Sequence, residues 1–284
     1  MTTNSNKMKE NIIQRNFFRL LRSGAFDDKS AIEPMSAFKW RHLYQMMDTQ
    51  NVIPYFVEGI NNHKHDHGLN LPQDLIDNLK KYLQEQVVKT ATNRQQTVEE
   101  KDFTNFFLRR KYRNIIEKEL HSIDTSTETI QLLKILVYNQ WAMLNQGMSM
   151  DGIIRLGKYL RQRGDKVDFV KLDNWLAALQ LRNMAKLQGS VLATVFDFEP
   201  DELPFAGTID RHSRQLALIA VSHIAKDTAE EWHFRLTTTG FVRNNSTILW
   251  RNMKRSIRYI SYAPVETISS FFVNFGRSFS EIEE

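Results

Sequence analysis

The chain has no cysteine in its 284 residues. Disulfides, thiolate metal sites and cysteine nucleophiles are excluded together, and a reducing compartment fits that composition. Proline (6) and glycine (11) are scarce. Alternating β-branched runs bounded by turn dipeptides are missing as well, so hairpin-rich architectures have little support. No apolar run approaches the roughly 18 residues of a membrane-spanning helix. The longest candidates, Leu216–Ala225 and Leu132–Leu144, are too short or are interrupted by Lys134 and Asn139. Residues 1–15 are polar and lack the apolar core of a secretory signal, so no transmembrane segment and a cytoplasmic location are expected. Walker A, Gly-x-Gly-x-x-Gly, Gly-x-Ser-x-Gly and His-Glu-x-x-His patterns do not occur.

What is present is ordinary for a globular protein: 42% hydrophobic and 25% charged residues, with 18 Phe, 8 Tyr and 5 Trp to build a core without staples. The net charge of +5 and isoelectric point near 9.3 permit an anionic ligand or partner. They give no strong nucleic-acid signal, because a dedicated binder concentrates more positive charge.

Apolar residues recur at helical spacing almost throughout, which predicts an all-α fold: a multi-helix bundle of roughly ten helices with no substantial sheet. A single helical domain over 1–284 is expected, with a weak subdivision into 1–122 and 123–284. The first helix spans Lys9–Ser23, with Gly24 as its left-handed cap. Ser36–Thr49 buries Trp40, Leu43, Tyr44 and Met47, and a short helix runs from Pro54 to Ile60. Pro72–His121 is either one long helix with a solvated middle or two helices joined near Thr97. Its apolar stripe resumes at Phe103, Phe106 and Phe107. Thr125–Glu128 fits a capping box for a helix over Ser126–Gln146. Further helices cover Ser149–Arg163, Val170–Gln180, Arg182–Phe196 and Asp210–Phe234, the last with an apolar middle suited to burial. Two C-terminal helices meet at Ala263-Pro264.

That C-terminal stretch carries the most distinctive chemistry. Arg251, Lys254, Arg255 and Arg258 follow one another with no acid among them, and Ile268, Phe271, Phe272, Phe275 and Phe279 then share one helical face. The basic residues suit a solvated face, a phosphate or nucleotide contact, or a membrane surface. The aromatic face is expected to dock on the bundle, because large exposed apolar patches are rare in monomers.

Other motifs read as structural. Gly189-Ser190 followed by Asp197-Phe198-Glu199 has the order of a polymerase-β-type nucleotidyltransferase site, whose acids hold two magnesium ions. Only six residues separate Ser190 from Asp197, too few for a helix and a return to an adjacent strand. In Gly164-Asp165-Lys166-Val167-Asp168 the acids lie three apart and would face opposite sides of a strand. His63, His65 and His67 read as a solvated loop despite their affinity for metals. His223, Asp227, Glu230 and His233 form half of a bundle di-iron pattern without its second half. No metal is therefore expected.

Several stretches together resemble a known family. FFRLLRSGAF (17–26), FKWRHLYQMMDTQNVIPYFVEGI (38–60), ILVYNQWAMLNQGMSMDGIIRLGKYLRQ (135–162) and MKRSIRYISYAPVETISSFF (253–272) are similar to the helical flanks of the uncharacterised nucleotidyltransferase-like family of Bacteroidetes. The resemblance implies a Lys-Gly segment and a Gly-Asp-x-Asp-Leu strand between the flanks. The interval Asn61–Glu128 contains no Gly-Asp and no Asp-x-Asp, so no catalytic residue carries over. The expectation is a non-catalytic helical binding or interaction protein without a cofactor, acting on a protein partner or an anionic ligand. An active transferase with a divergent site would need Mg²⁺ and a mixed sheet within Gln162–Phe205. A peripheral membrane protein would use the basic and aromatic C-terminus.

Overall fold

The computed structural model describes residues 10–66, 68–92, 102–222 and 257–280. Among the described residues the regular structure is helical, with no strand. The helices are α1 (Ile12–Phe26), α2 (Ala37–Thr49), α3 (Ile53–Asn62), α4 (Gln73–Thr92), α5 (Phe106–Leu120), α6 (Thr127–Asn145), α7 (Met150–Arg163), α8 (Phe169–Ala178), α9 (Arg182–Phe196), α10 (residues 213–222) and α11 (Pro264–Ser280), with 3₁₀ turns at Gly164–Lys166 and Pro200–Glu202. The all-α expectation holds. The chain packs as two compact units, Met1–Glu99 with Val221–Glu230 and Glu100–Ala220 with Glu231–Glu284.

The first unit is organised by a close crossing of α1 and α3. A Cβ on Gly24 would lie 1.8 Å from the Tyr55 carbonyl oxygen, and one on Gly59 would lie 2.3 Å from that of Leu20. Only glycine lets two helix backbones approach so closely. Gly24 is therefore an interior contact residue and not the expected cap. The helix continues three residues past Ser23, and Asp27 takes the left-handed position at φ 60°. At the other end Asn11 and Gln14 form a reciprocal capping box, with N–H to side-chain oxygen distances of 2.9 and 3.0 Å. Phe17, Leu20, Leu21 and Phe56 are buried around the crossing.

Two asparagines tie the connecting loop to the helices. Asn16 donates to the Glu33 carbonyl (2.7 Å) and accepts from the Glu33 N–H (3.1 Å). Asn70 does the same for Met35 (2.7 and 3.2 Å), and its carbonyl also accepts the indole N–H of buried Trp40 at 3.0 Å.

Residues 102–105 are non-helical and separate α4 from α5, so Pro72–His121 forms two helices. Thr97 lies outside the described residues. Phe103 is buried ahead of α5 rather than on it.

The second unit is centred on α6, α7 and α9. Leu132, Leu133, Leu136 and Val137 of α6, Ile153 and Leu156 of α7, and Leu187 of α9 are buried in the core where these helices pack together. Asn139, which interrupts the apolar run of α6, is buried and satisfied. Its amide donates to the Gly152 carbonyl (3.1 Å) and to the Gln188 side-chain oxygen (3.0 Å), and Gln188 donates to the Leu136 carbonyl (3.1 Å). Gly152 is required there, since a Cβ would sit 2.4 Å from the Asn139 oxygen.

The capping box expected at Thr125–Glu128 does not form. Ser126 is the cap residue, its N–H donates to the Glu119 carboxylate from α5 (2.9 Å), and Glu128 accepts from the Thr127 hydroxyl. A carboxylate brought by tertiary structure replaces the local one. The apolar middle of α10 is buried at Leu216, Ala217, Leu218, Ala220 and Val221, as expected, and residues 223–234 lie outside the described residues.

Candidate functional site

Three of the four expected basic site residues, Arg251, Lys254 and Arg255, lie outside the described residues. Arg258 is half-exposed in the turn before α11, between exposed Ile257 and Ile260, while Tyr259 points into the core at 1% exposure. Tyr262 closes this turn by donating to Asp210 at 2.8 Å. Burial and the Asp210 carboxylate push the Tyr262 phenol well above its ordinary range.

The first part of the helix that follows reverses the usual amphipathic pattern. Among its described side chains, the buried positions are Glu266, Thr267 and Ser270, spaced on one helical face with Ala263. Glu266 explains how a polar face can be buried. Its carboxylate accepts the backbone N–H groups of Thr104 and of Asn105 (3.1 Å for the latter), supplying acceptors at the start of α5. Asn105 caps α5 through its own side chain and donates to Ser269 at 3.0 Å, and Ser270 donates to Thr104 at 3.2 Å. Helix-start N–H groups are favourable partners for a carboxylate. Burial still outweighs them and pushes the Glu266 carboxyl upward.

With these polar groups turned inward, the described apolar side chains opposite them are exposed. Ile268 is 49% exposed, Phe271 36%, Phe272 66% and Val273 46%. The expectation that this face docks on the bundle is corrected for Ile268, Phe271 and Phe272: hydrogen bonds to the start of α5 orient this part of the helix, and these three side chains are exposed. The side chains of Phe275 and Phe279 lie outside the described set. Phe106 and Phe107, expected in an apolar stripe, are 65% and 73% exposed. They follow Asn105 directly, so the junction that holds α11 also carries two exposed aromatics at the start of α5. Arg110, Lys111 and Arg113 come next and are exposed. Arg113 pairs with Asp102 at 2.8 Å, whereas Arg109 turns back to the carbonyls of Phe103 and Thr104. No acid occurs between Phe103 and Asn114, and the one acid between Pro264 and Ser280 is the buried Glu266.

The other motifs are placed elsewhere and serve the fold. Gly189 allows close packing, with a Cβ there meeting Ala206 at 2.6 Å, and the Ser190 hydroxyl accepts the Asp210 N–H at 2.8 Å. Asp197 ends α9 in the left-handed conformation (φ 55°), and Glu199 caps the following 3₁₀ turn reciprocally with Glu202. Asp165 lies in a 3₁₀ turn, and Asp168 caps α8 by accepting the Lys171 N–H at 2.9 Å. The sheet that a divergent transferase site requires within Gln162–Phe205 is replaced by helices and turns.

His63 is buried, contrary to the solvated loop expected. Its Nδ1 lies 2.8 Å from the Gly59 carbonyl oxygen and its Nε2 3.1 Å from that of Ser30. Both ring nitrogens thus face protein oxygens, while His65 is exposed and His67 lies outside the described residues. His223, Asp227, Glu230 and His233 lie outside them too. Among the described residues, no group of three or more His, Cys, Asp or Glu side chains is arranged to hold a metal ion, and no helix is long and apolar enough to cross a membrane.

Compared with known protein families, characterised proteins and solved structures, the chain matches none.

Proposed function

We propose that this is a non-catalytic helical interaction protein whose contact face is formed by the outward side of α11 and the start of α5. Its kinship with the nucleotidyltransferase-like proteins is part of the same proposal and rests on the helical flanks. A cysteine-free chain suits the reducing cytoplasm, where we place it.

One observation carries the reading. A helix whose exposed side bears Ile268, Phe271, Phe272 and Val273 is oriented by buried polar groups, Glu266 and Ser270. Hydrophobic burial alone would turn such a helix the other way. Contiguous exposed apolar surface of this kind marks interaction sites. The acids that could hold magnesium for phosphoryl transfer are each engaged in starting, ending or turning a helix, and two-metal chemistry needs carboxylates convergent on a pair of ions about 3.5–4 Å apart.

Two measurements test this. The Phe107→Asp/Phe272→Asp double variant should keep the wild-type unfolding midpoint and bind less of an apolar fluorescent dye. A midpoint lowered by many degrees would mean that the face is internal, and the reading would fail. Thermal unfolding with millimolar Mg²⁺-nucleotides should show no shift. Ligand at 100 times its dissociation constant adds about 2.7 kcal/mol, so a clear Mg²⁺-dependent rise would overturn the non-catalytic half of the proposal.

A further inference from the structure

We infer that the partner of this face is an anionic lipid surface; the inference rests on reading α11 as a contact face. Four partly exposed phenylalanines, Phe106, Phe107, Phe271 and Phe272, stand at one junction, with Ile268 and Val273 beside them. Such side chains lie favourably at the boundary between headgroups and acyl chains.

Among the described residues, cations flank them: Arg110 and Lys111 are exposed on the first turns of α5, and Arg258 is half-exposed in the turn that leads into α11. Of the described acids nearby, Glu266 is buried on backbone N–H groups, Asp102 pairs with Arg113 and accepts the Phe103 N–H, and Asp210 accepts the Tyr262 hydroxyl. An apolar centre flanked by Arg110, Lys111 and Arg258 is disfavoured against a second copy of itself, because these cations would meet their own charge. It attracts a surface that is apolar within and negative at its edge. Both properties are met at once by a bilayer containing anionic lipids, to which each nearby Lys or Arg adds about fivefold in binding, equivalent to about 1 kcal/mol. With no helix in the described residues suited to spanning a bilayer, the protein would lie on the membrane and bind reversibly.

Cosedimentation of the full-length protein with phosphatidylcholine vesicles, with and without about a third phosphatidylserine, tests the inference. Binding should require phosphatidylserine and should fall steeply between low salt and about 0.5 M salt, as the screening length shrinks below 10 Å. Arg110→Glu/Lys111→Glu should weaken it by at least 25-fold, two fivefold losses combined. Phe107→Asp/Phe272→Asp should abolish it without moving the unfolding midpoint. No sedimentation with phosphatidylserine vesicles at low salt would overturn the lipid inference, and so would binding indifferent to lipid charge. The two proposals then separate. If the Phe variant keeps its midpoint and changes the oligomeric state on gel filtration, the contact face survives with a second copy as its occupant. If the variant loses stability, the face itself is refuted.

Discussion

Gly59→Ala is the sharpest test of how the first unit is built. At an exposed helix interior this change is stabilising by roughly 0.5–1 kcal/mol, because glycine loses more backbone freedom on folding. Here the new Cβ would lie 2.3 Å from the Leu20 carbonyl oxygen and 3.2 Å from the Leu20 Cα. Neither is a side-chain end that can swing aside. The α1 and α3 axes must separate by about an ångström, which loosens the contacts of Phe17, Leu21 and Phe56 along the crossing. Overpacking of this kind costs about 1–3 kcal/mol, and relief against backbone lies at the upper end. A net destabilisation of about 2 kcal/mol follows after the propensity gain. For a unit of this size that corresponds to a midpoint lower by roughly 10 °C. Urea unfolding followed by circular dichroism would measure it, with Gly164→Ala as the control. A Cβ at Gly164 meets nothing within 4 Å, so that variant should match or slightly exceed the wild type. Equal stability of Gly59→Ala and wild type would show that the two backbones do not pack as described.

Three further outcomes are expected. Asn139→Ala should cost about 2–4 kcal/mol in urea unfolding, since it leaves the Gln188 oxygen and the Gly152 carbonyl without their donor and opens a cavity; a loss under 1 kcal/mol would contradict the buried amide network. The hydrogen bond from Arg15, aided by Arg19, holds the Glu33 carboxyl down at about 2 against an ordinary 4.5. A lowered pKa in the folded state stabilises above about pH 4.5, and that contribution drains away as pH falls towards 2. The groups are about a third solvent-exposed, so about 1 kcal/mol should be lost, and Arg15→Met should flatten that part of the pH–stability curve. Asp197→Gly should keep stability within about 1 kcal/mol of wild type, whereas Asp197→Val should lose about 1–2 kcal/mol in the left-handed conformation at φ 55°, as read from thermal midpoints.

Much of the fold was legible because it follows from local patterning. The 3.6-residue spacing marked α2, α7, α8 and α9 to within two residues, and the scarcity of glycine and proline pointed to helices. The cap at Gly24 was misplaced because glycine has two uses, and composition does not distinguish a helix end from a backbone crossing. The box at Thr125–Glu128 failed because the cap falls one residue later, at Ser126, whose N–H is held by Glu119 from α5. At the candidate site the sequence identified an aromatic face but assigned it inward. Periodicity reports which residues share a side, not which side meets the core. The deciding groups are Glu266 and Ser270, whose partners Thr104 and Asn105 lie about 160 positions away. The exposed pair Phe106-Phe107 was hidden for the same reason, although a cap-forming Asn105 immediately before two phenylalanines was a usable signal that a helix begins there.

The carboxylate of Glu266 also bears on the order in which the chain folds. The N–H groups of Thr104 and Asn105 are made long before Glu266 during synthesis, so the start of α5 must wait in water, satisfied by its own Asn105 alone, until α11 exists. Closing so long a loop is slow compared with forming either helix. A nascent chain arrested before Pro264 should therefore contain α5 with a frayed first turn, open to proteases near Phe103, and protection there should appear only when α11 docks.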